Sequence, residues 1–498
     1  MIERVRREET WHREAVDVYP DPYKIVRIQF PVVEELRDTP RETWPQRNAL
    51  PTALGFLAET FKDAGWHDLA VRVLQEILEI VRADHDRVSV RRALTDLHEN
   101  LVKLERYEEA LPVAEEELAL ALELARPGSY DLEIANRTWS SMISLLGKLG
   151  RHSDAARAAS EAVEYARGQK KVKDGPPEGY PLAHALFQYA RRLKEIGEYE
   201  QAIDAAAEAA AFWQRRNTLA TAYGVLDELS LMQQRIGRIE DARASHAAAV
   251  ADFRRQAKSG DWTVLSNLAG ALNNHSNRLH NLGFDEEAVP VAQESVDRYR
   301  SLIAATERED TAKKVELRLT TALCSLSSRL HDVGRLDECF AVSDEAIALA
   351  TKHDDHEQLA LAWTNRASAL ISHRAYAEAA EAAAKGLELY VDAEDKAMAR
   401  NTFALASAHL GQFDVALEAS LRSVAEYREW YAGDPYEYTY LLADALTDHA
   451  LIRVLRAERA EAEAAIAESL LLKEELVARN PGRYQRELDR ARRVAAQM

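Results

Sequence analysis

The chain has 498 residues, with 64 lysines and arginines against 83 aspartates and glutamates, so its formal net charge is −19. Its residues are 47% hydrophobic, which predicts a folded protein rather than a disordered one. Such an acidic surface repels phosphate backbones and anionic membranes, and no basic stripe offsets it. We therefore expect neither a nucleic acid nor a membrane as partner.

The start of the sequence lacks the apolar core of a signal peptide, and no run of about 18 apolar residues could span a bilayer. Two cysteines, Cys324 and Cys339, are too few for a disulfide framework, which is typical of a reducing compartment. These features predict a cytoplasmic protein. The richness in alanine, arginine and acidic residues is typical of high-GC bacteria.

Residues 1–47 are predicted to form an N-terminal cap. Six prolines between residues 20 and 51 surround the β-branched stretch KIVRIQF, a pattern that no later part of the chain contains. A terminal segment of this kind shields the apolar surface of the first repeat from water. The alternative is an autonomous docking element.

Residues 48–480 contain about ten repeats, each marked by a position between an apolar periodic stretch and an alanine-rich one. We call this position the turn slot. It is occupied by glycine in seven repeats, and the spacing between successive slots runs from 37 to 51 residues. The ten slots are Gly65, Glu105, Gly150, Gly197, Gly237, Gly283, Gly334, Arg374, Gly411 and Ala457.

Small residues recur at fixed distances after the slot. Alanine stands five residues after every slot except one, where Cys339 replaces it, and small residues stand twelve after it in eight repeats. This pattern predicts a first helix, a tight turn with a left-handed residue, and a second helix packed closely against the first. One hairpin cannot bury both of its faces, so the hairpins must stack into an α-solenoid.

Two further segments complete the predicted organisation. KKVKDGPPEGYP, at residues 170–181, is expected to be a long, basic and mobile loop between two hairpins. Residues 481–498 read as one charged helix that covers the last hairpin with its polar side outwards.

Units such as EIGEYEQAIDAAAEAAAFW and HLGQFDVALEASLRSVAEY resemble the tetratricopeptide repeat (TPR) family. The period exceeds the usual one of about 34 residues, which is more similar to kinesin light chain and to bacterial regulatory TPR proteins. The resemblance implies an all-α fold, a right-handed α-solenoid of about ten hairpins with N- and C-terminal caps. It also implies that first helices line a concave groove for a protein or peptide.

Polar residues predict a contact surface in the sixth to ninth repeats. First-helix positions 10, 9, 6 and 3 before the slot are expected to face the groove, and in these repeats amides and hydroxyls replace the charges of earlier repeats. Asparagine side chains can pair with the backbone of an extended peptide. The alternative is a solvated groove without a ligand. The predicted groove residues are Asn273, Asn274, Asn277, His280, Ser328, His331, Asn365 and Asn401.

Four polar residues interrupt the apolar ridge of first helices in the later repeats, namely His275, Arg366, Arg400 and His449. Buried polar groups need partners or a solvated cavity, so these residues could line a closed pocket. That hypothesis makes the protein a sensor of a small molecule or signalling peptide. A local rotation of the helices that exposes the ridge would explain the pattern without a pocket.

Standard catalytic motifs are absent, and we expect neither enzymatic activity nor a cofactor. The cluster from His353 to Glu357 has metal-like composition, but its aspartates are better placed to cap the next helix, so no metal is predicted. The preferred function is therefore a protein- or peptide-binding scaffold or regulatory adaptor, for which the acidic charge favours a basic partner. An enzyme with an unfamiliar histidine site is the third hypothesis, and the oligomeric state is left open.

Overall fold

The computed structural model describes residues 22–40, 43–126, 130–168, 180–216 and 219–498. Within these ranges the chain forms 22 α-helices and one short 3-10 helix, with no strand, so the predicted all-α class is confirmed. The described residues divide into two compact units, one ending at Arg215 and the other beginning at Arg216.

In the described part of the first unit there are nine helices. They are α1 (Pro22–Arg37), α2 (Trp44–Asp63), α3 (His67–Ala83), α4 (Arg87–Lys103), α5 (Tyr107–Leu124), α6 (Tyr130–Lys148), α7 (His152–Gly168), α8 (Tyr180–Glu195) and α9 (Tyr199–Arg215). Helix α1 packs against α2, and the helices that follow form four hairpins. Part of the predicted N-terminal cap, residues 1–21 and 41–42, lies outside the described residues, as do residues 170–179 of the predicted loop.

The part of the second unit that the structure describes contains thirteen helices. They are α10 (Leu219–Arg235), α11 (Ile239–Gln256), α12 (Trp262–Leu282), α13 (Asp285–Ala304), α14 (Glu309–Asp332), α15 (Leu336–His353), α16 (His356–Ser372), α17 (Tyr376–Leu389), α18 (Ala393–His409), α19 (Phe413–Gly433), α20 (Pro435–Leu455), α21 (Arg459–Arg479) and α22 (Pro481–Ala495). Each helix packs against the next, and first helices also contact the first helices of neighbouring hairpins. This is the packing of an α-solenoid.

All ten turn slots adopt the left-handed conformation that the sequence predicts. The seven glycines have φ between 70° and 92°, and the three other residues, Glu105, Arg374 and Ala457, have φ of 58°, 63° and 68°. In each turn the backbone N–H of the slot residue bonds to a carbonyl of the last helical turn, as from Gly283 to His280 at 2.9 Å. The turn geometry therefore holds even where glycine is missing.

The small residues lie where the two helices of a hairpin approach most closely. Residues five after the slot, including Cys339, are fully buried. Twelve after the slot, Ser295, Ser423 and Ser469 each donate a hydrogen bond to a carbonyl 26 residues earlier, at 2.7, 3.1 and 2.7 Å. A larger side chain would separate the helices, so the small residues set the packing distance.

One exception to the small-residue rule is a buried carboxylate. Glu117 is 1% exposed and accepts hydrogen bonds from Thr95 at 2.8 Å and Thr138 at 2.9 Å. His98 Nδ1 lies 2.9 Å from its other oxygen, and Ser141 bonds the far nitrogen of that ring. Glu117 is thus paired in the core of the first unit, as a buried charge must be.

Candidate binding surfaces

The predicted asparagine row of the second unit is divided between packing and exposure. Asn273 is 8% exposed, so the position ten before the slot lies in the seam between helices rather than on an open face. Asn365 Nδ2 donates to the carbonyl of Cys324 at 2.9 Å, which links α16 to α14. Asn274 is exposed and Asn277 is half-buried, so these two face outwards.

Asn401 also makes an internal contact. Its Nδ2 donates to Asp448 Oδ2 at 2.6 Å and so joins α18 to α20. A side-chain amide that bridges two first helices stabilises the stack, because it gives a polar group in the seam a partner. Asn365 and Asn401 therefore have a structural role that sequence reasoning did not anticipate.

His280 lies in a charged cluster at the C-terminal end of α12. Its Nδ1 is 2.6 Å from Asp285 Oδ1 and 3.2 Å from Asp332 Oδ2, and Arg329 Nε is 3.4 Å from the same Asp332 oxygen. Burial lowers the pKa of His280 and raises that of Asp332. An open cavity of about 550 Å³, lined by Asp285 and Asp332, adjoins the cluster.

The equivalent positions of the seventh repeat are also engaged. Ser328 Oγ accepts a hydrogen bond from Arg329 at 2.9 Å. His331 Nε2 lies 2.9 Å from the Ser372 hydroxyl, and burial lowers the pKa of His331. Ser328 is therefore engaged within its own helix, whereas His331 contacts the next first helix.

The four ridge-breaking residues have separate partners. Arg366 pairs with Asp344, and Arg400 pairs with Glu426. His449 Nδ1 shares a hydrogen bond of 2.8 Å with the Ser420 hydroxyl, and its Nε2 accepts one of 3.3 Å from Arg453. Each is thus satisfied within its own part of the fold, and the structure does not bring the four into one pocket.

His275 pairs with a second buried histidine. Its ring stacks on that of His246 with centroids 5.0 Å apart, and the two Nδ1 atoms are 3.1 Å apart. The other nitrogen of His246 lies 3.1 Å from Asp227, which Arg278 contacts at 2.9 Å. Burial and the neighbouring His246 lower the pKa of His275 to about 3, so the ring is neutral at physiological pH.

The last helix covers the last hairpin, as predicted, and also contacts much earlier hairpins, which the sequence does not predict. Its apolar side, with Ala491 and Val494, packs into the C-terminal core as a cap does. Its beginning returns to much earlier hairpins: Asn480 Nδ2 donates to the Leu282 carbonyl at 3.0 Å, and Arg486 bonds the Asp332 carbonyl. A Cβ atom on Gly283 would lie 2.5 Å from the backbone of residues 482 and 483.

The same segment passes close to the preceding turn as well, because a Cβ on Gly237 would lie 3.8 Å from the Arg479 carbonyl oxygen. Residues 479–486 therefore cross three consecutive hairpin turns of the second unit, those at Gly237, Gly283 and Gly334. We call this segment and the three turns the closure contact. Tyr436 supports it from both sides, since the guanidinium groups of Arg235 and Arg479 lie 3.7 and 5.7 Å from its ring centroid.

A buried ion network holds the rest of α22. Lys473 is fully buried and its Nζ lies 3.0 Å from Asp444 Oδ1. Arg490 contacts Asp444 at 3.1 Å and also pairs with Asp448. The attraction of Lys473 and Arg490 holds the pKa of Asp444 below its usual value despite its burial. Removal of one member would leave an unpaired charge in the core.

The first unit presents two cavities between neighbouring first helices. The cavity between α2 and α4 measures about 430 Å³, with Leu74, Ile77 and Val81 of α3 among its apolar lining. Its polar lining includes Asp96 and Arg92, and burial raises the pKa of Asp96. Glu59 and Lys62, which the sequence places on the groove row, line it too.

The second cavity lies between α6 and α8. It measures about 450 Å³, and Trp139, Ile143 and Ala185 supply much of its apolar lining. The polar side chains of Arg137 and Gln188 also line it. Two cavities thus open between first helices of the first unit, one of mixed polar and apolar lining and one mainly apolar, in repeats outside the predicted contact surface.

Two clusters of histidine and carboxylate side chains have the composition of metal sites. His280, Asp285 and Asp332 place three ligand atoms within 4.8 Å of one another, so they could hold a cation. Arg329 already contributes a positive charge to this cluster. In the predicted cluster from His353 to Glu357, Asp355 caps α16 by accepting from Gln358 N at 3.1 Å, as the capping interpretation requires.

The cysteines are packing residues. Cys324 is 1% exposed, and burial raises the pKa of its thiol to about 12. Cys339 is fully buried, as its position at the close approach predicts. A buried thiol with a raised pKa is a poor nucleophile. Of the helices that the structure describes, none is long and apolar enough to cross a membrane.

Comparison with known proteins supports the repeat architecture. The family model of anaphase-promoting complex subunit 5 matches residues 41–105, 136–174, 176–236 and 301–369. No curated protein sequence gives a match. The solved apo form of RapI is similar in fold, with a TM-score of 0.53 at 11% identity over 78% of this chain and 99% of that one.

Two further solved structures are similar to shorter parts of the chain. BtubC of P. vanneervenii matches 48% of this chain and 92% of its own, with 18% identity and a TM-score of 0.38. A Podosopora anserina protein described as kinesin light chain, with nearly identical TPR-like repeats, matches 43% of this chain and 97% of its own. Its identity is 16% and its TM-score 0.31.

Proposed function

We propose that this protein of tetratricopeptide-like repeats is a scaffold or regulatory adaptor that binds a protein or peptide segment along the groove rows of its first helices. The observation that carries the proposal is the cavity between α2 and α4. It combines an apolar lining from α3 with charged side chains of both signs, including Asp96 and Arg92. A cavity that is part apolar and part charged can bury one side chain of a ligand and fix its orientation through the polar groups.

The two cavities of the first unit suggest how a segment is recognised. One lies between the first two hairpins and the other between the third and fourth. If each hairpin advances by 8–10 Å, the cavities are separated by about 20 Å, which an extended chain spans in about six residues. We therefore expect a recognition motif with two anchoring side chains about six residues apart.

The polar row of the second unit is proposed as a further contact surface. Within it, Asn274 and Asn277 are the best placed to contact a peptide backbone, because they face outwards. The acidic charge of the chain favours a basic partner, chiefly through the rate of association. The four residues on which the sensor hypothesis was based have separate partners, which does not support a common pocket. The sensor hypothesis therefore stays only a prediction.

Affinity capture from a lysate of the native host tests the proposal. Wild type is compared with the double variant Arg92→Ala/Asp96→Ala, and bound proteins are identified by mass spectrometry. Arg157→Gln on the exposed face of α7 is the matched control, because its side chain is 69% exposed and lines neither cavity.

We expect a protein that wild type and the control retain and the double variant loses. Equal retention by all three proteins would remove the first-unit cavity from the proposal. The same comparison with Asn274→Ala/Asn277→Ala then tests the second surface.

A further inference from the structure

We propose that the beginning of α22 occupies a docking surface formed by the three turns of the closure contact. We further propose that an arginine-bearing helical segment of a partner displaces it from these turns. The inference rests on the proposed binding function and specifies the chemistry of one partner. It concerns the second unit alone, where residues 479–486 cross the turns at Gly237, Gly283 and Gly334.

The closure contact is largely polar, with one ring contact between Tyr484 and Tyr440, whereas the rest of α22 is anchored by apolar packing and by the ion pairs of Arg490. Asn480 and Arg486 reach the earlier turns through hydrogen bonds to the Leu282 and Asp332 carbonyls. Ala491 and Val494, one to three turns later, lie in an apolar cluster. Polar contacts exchange readily with water or with another donor, because their net contribution to stability is small. The beginning of α22 can therefore be replaced by a competitor that offers equivalent donors.

Charge complementarity identifies the competitor. Residues 480–498 contain five arginines and two acidic residues, on a chain of net charge −19. Arg490 is paired with Asp444 and Asp448. Burial lowers the pKa of Arg483, but nearby groups that include the carboxylates of Asp285 and Asp332 raise it overall. Once α22 leaves, these four aspartates face solvent with fewer cations. An arginine-bearing helix restores the same pairs.

The closure contact is also connected to the predicted groove residues. Asp448 accepts from Asn401 and pairs with Arg490, so one carboxylate joins the groove row to α22. Asp332 contacts His280, and its carbonyl accepts from Arg486. A segment bound along the groove that took up Asn401 or His280 would therefore weaken the hold on α22. This connection couples occupation of the groove to release of the last helix.

The test uses a fluorescently labelled peptide of residues 480–498 and the full chain. The variant Ala491→Glu/Val494→Glu removes the apolar anchor of α22 and leaves the earlier turns unchanged. Hydrogen exchange of residues 481–495 verifies release, and fluorescence anisotropy measures peptide affinity. We expect the double variant to bind the peptide at least tenfold more tightly than wild type. A control peptide with Arg483, Arg486 and Arg490 changed to glutamine should bind at least tenfold more weakly.

Several outcomes would overturn the inference. Equal affinity of wild type and variant, with α22 released, would mean that the surface does not exchange its occupant. Equal affinity of the two peptides would show that the arginines do not determine binding to this surface. A wild-type dimer that the peptide dissociates would assign the surface to a second copy of the chain.

If the double variant does not fold, Asn480→Ala/Arg486→Gln weakens the closure contact alone and is still expected to bind the peptide more tightly than wild type. Unchanged affinity in that variant would equally contradict the inference. None of these results depends on the first-unit cavity, so a failure here is distinguishable from a failure of the proposed function.

Discussion

The buried histidine His449 predicts a specific loss of stability in acid. Arg453 donates to its Nε2, so the neutral ring carries its proton on Nδ1, towards Ser420. Protonation of Nε2 would place two donors against each other inside the fold. Burial, with a smaller effect of Arg453, accordingly lowers the pKa from 6.5 to about 4.

The sign and size of the effect follow from proton linkage. Because the folded-state pKa is below the unfolded one, stability is complete above about pH 6.5 and falls as the pH decreases towards 4. Between pH 7.5 and pH 5.0, His449 alone should lower the free energy of unfolding by about 2 kcal/mol.

The variant His449→Leu tests this reasoning, since other repeats place leucine at the equivalent position, as at Leu229 and Leu326. Urea denaturation followed by circular dichroism, at both pH values, should show a pH-dependent loss smaller by about 2 kcal/mol than in wild type. His356→Leu serves as control, because His356 is 61% exposed, and should keep the wild-type pH dependence. If His449→Leu loses as much stability in acid as wild type, the assignment of its environment is wrong.

Four further substitutions, the last two as a matched pair, test other contacts by thermal unfolding. Asn365→Ala should cost about 1 kcal/mol, because it removes a hydrogen bond between first helices. An unchanged midpoint of thermal unfolding would mean that Asn365 has no structural role and is free to contact a ligand in the groove. Glu117→Ala should cost about 3 kcal/mol, since it removes the carboxylate that joins Thr95, Thr138 and His98 and leaves a cavity in its place, and a neutral result would contradict the buried network. Gly283→Ala and Gly334→Ala both force alanine into a left-handed conformation at about 1 kcal/mol, but only the former meets backbone at 2.5 Å. Equal destabilisation by the two would refute the closure contact.

The hairpin architecture could be predicted from the sequence because its determinants are local and repeated. A glycine-like turn residue, an alanine five residues later and a small residue twelve later are each required by one close approach of two helices. Ten copies of the same constraint make the pattern visible even where Glu105, Arg374 or Ala457 occupies the turn. The structure shows left-handed turns at all ten positions.

The candidate surfaces were only partly predictable. Helical spacing identifies the stripe on which Asn273, Asn277 and Asn365 lie, but the position of the stripe relative to the neighbouring hairpin depends on tertiary packing. Consequently Asn365 bonds an adjacent first helix, whereas Asn274, two repeats earlier in the row, is exposed. The contact from Asn480 to Leu282 spans 198 residues and leaves no periodic signal.

The cavities of the first unit were missed for a related reason. They form between hairpins and are lined by side chains of three helices, such as Glu59, Leu74 and Asp96. Each of these residues fits its own repeat without any departure from the pattern. The groove positions of the first two repeats carry charges of both signs, Glu59, Lys62 and Asp96, and this pattern could have indicated a site.

The central claim is that a partner lies along first helices, and its most direct test is hydrogen–deuterium exchange of the full chain with and without the captured partner. We expect slower exchange of backbone amides in α2 and α4, beside the cavity lined by Asp96, and no change in α5, a second helix. Protection confined to second helices, or absent from α2 and α4, would contradict the claim.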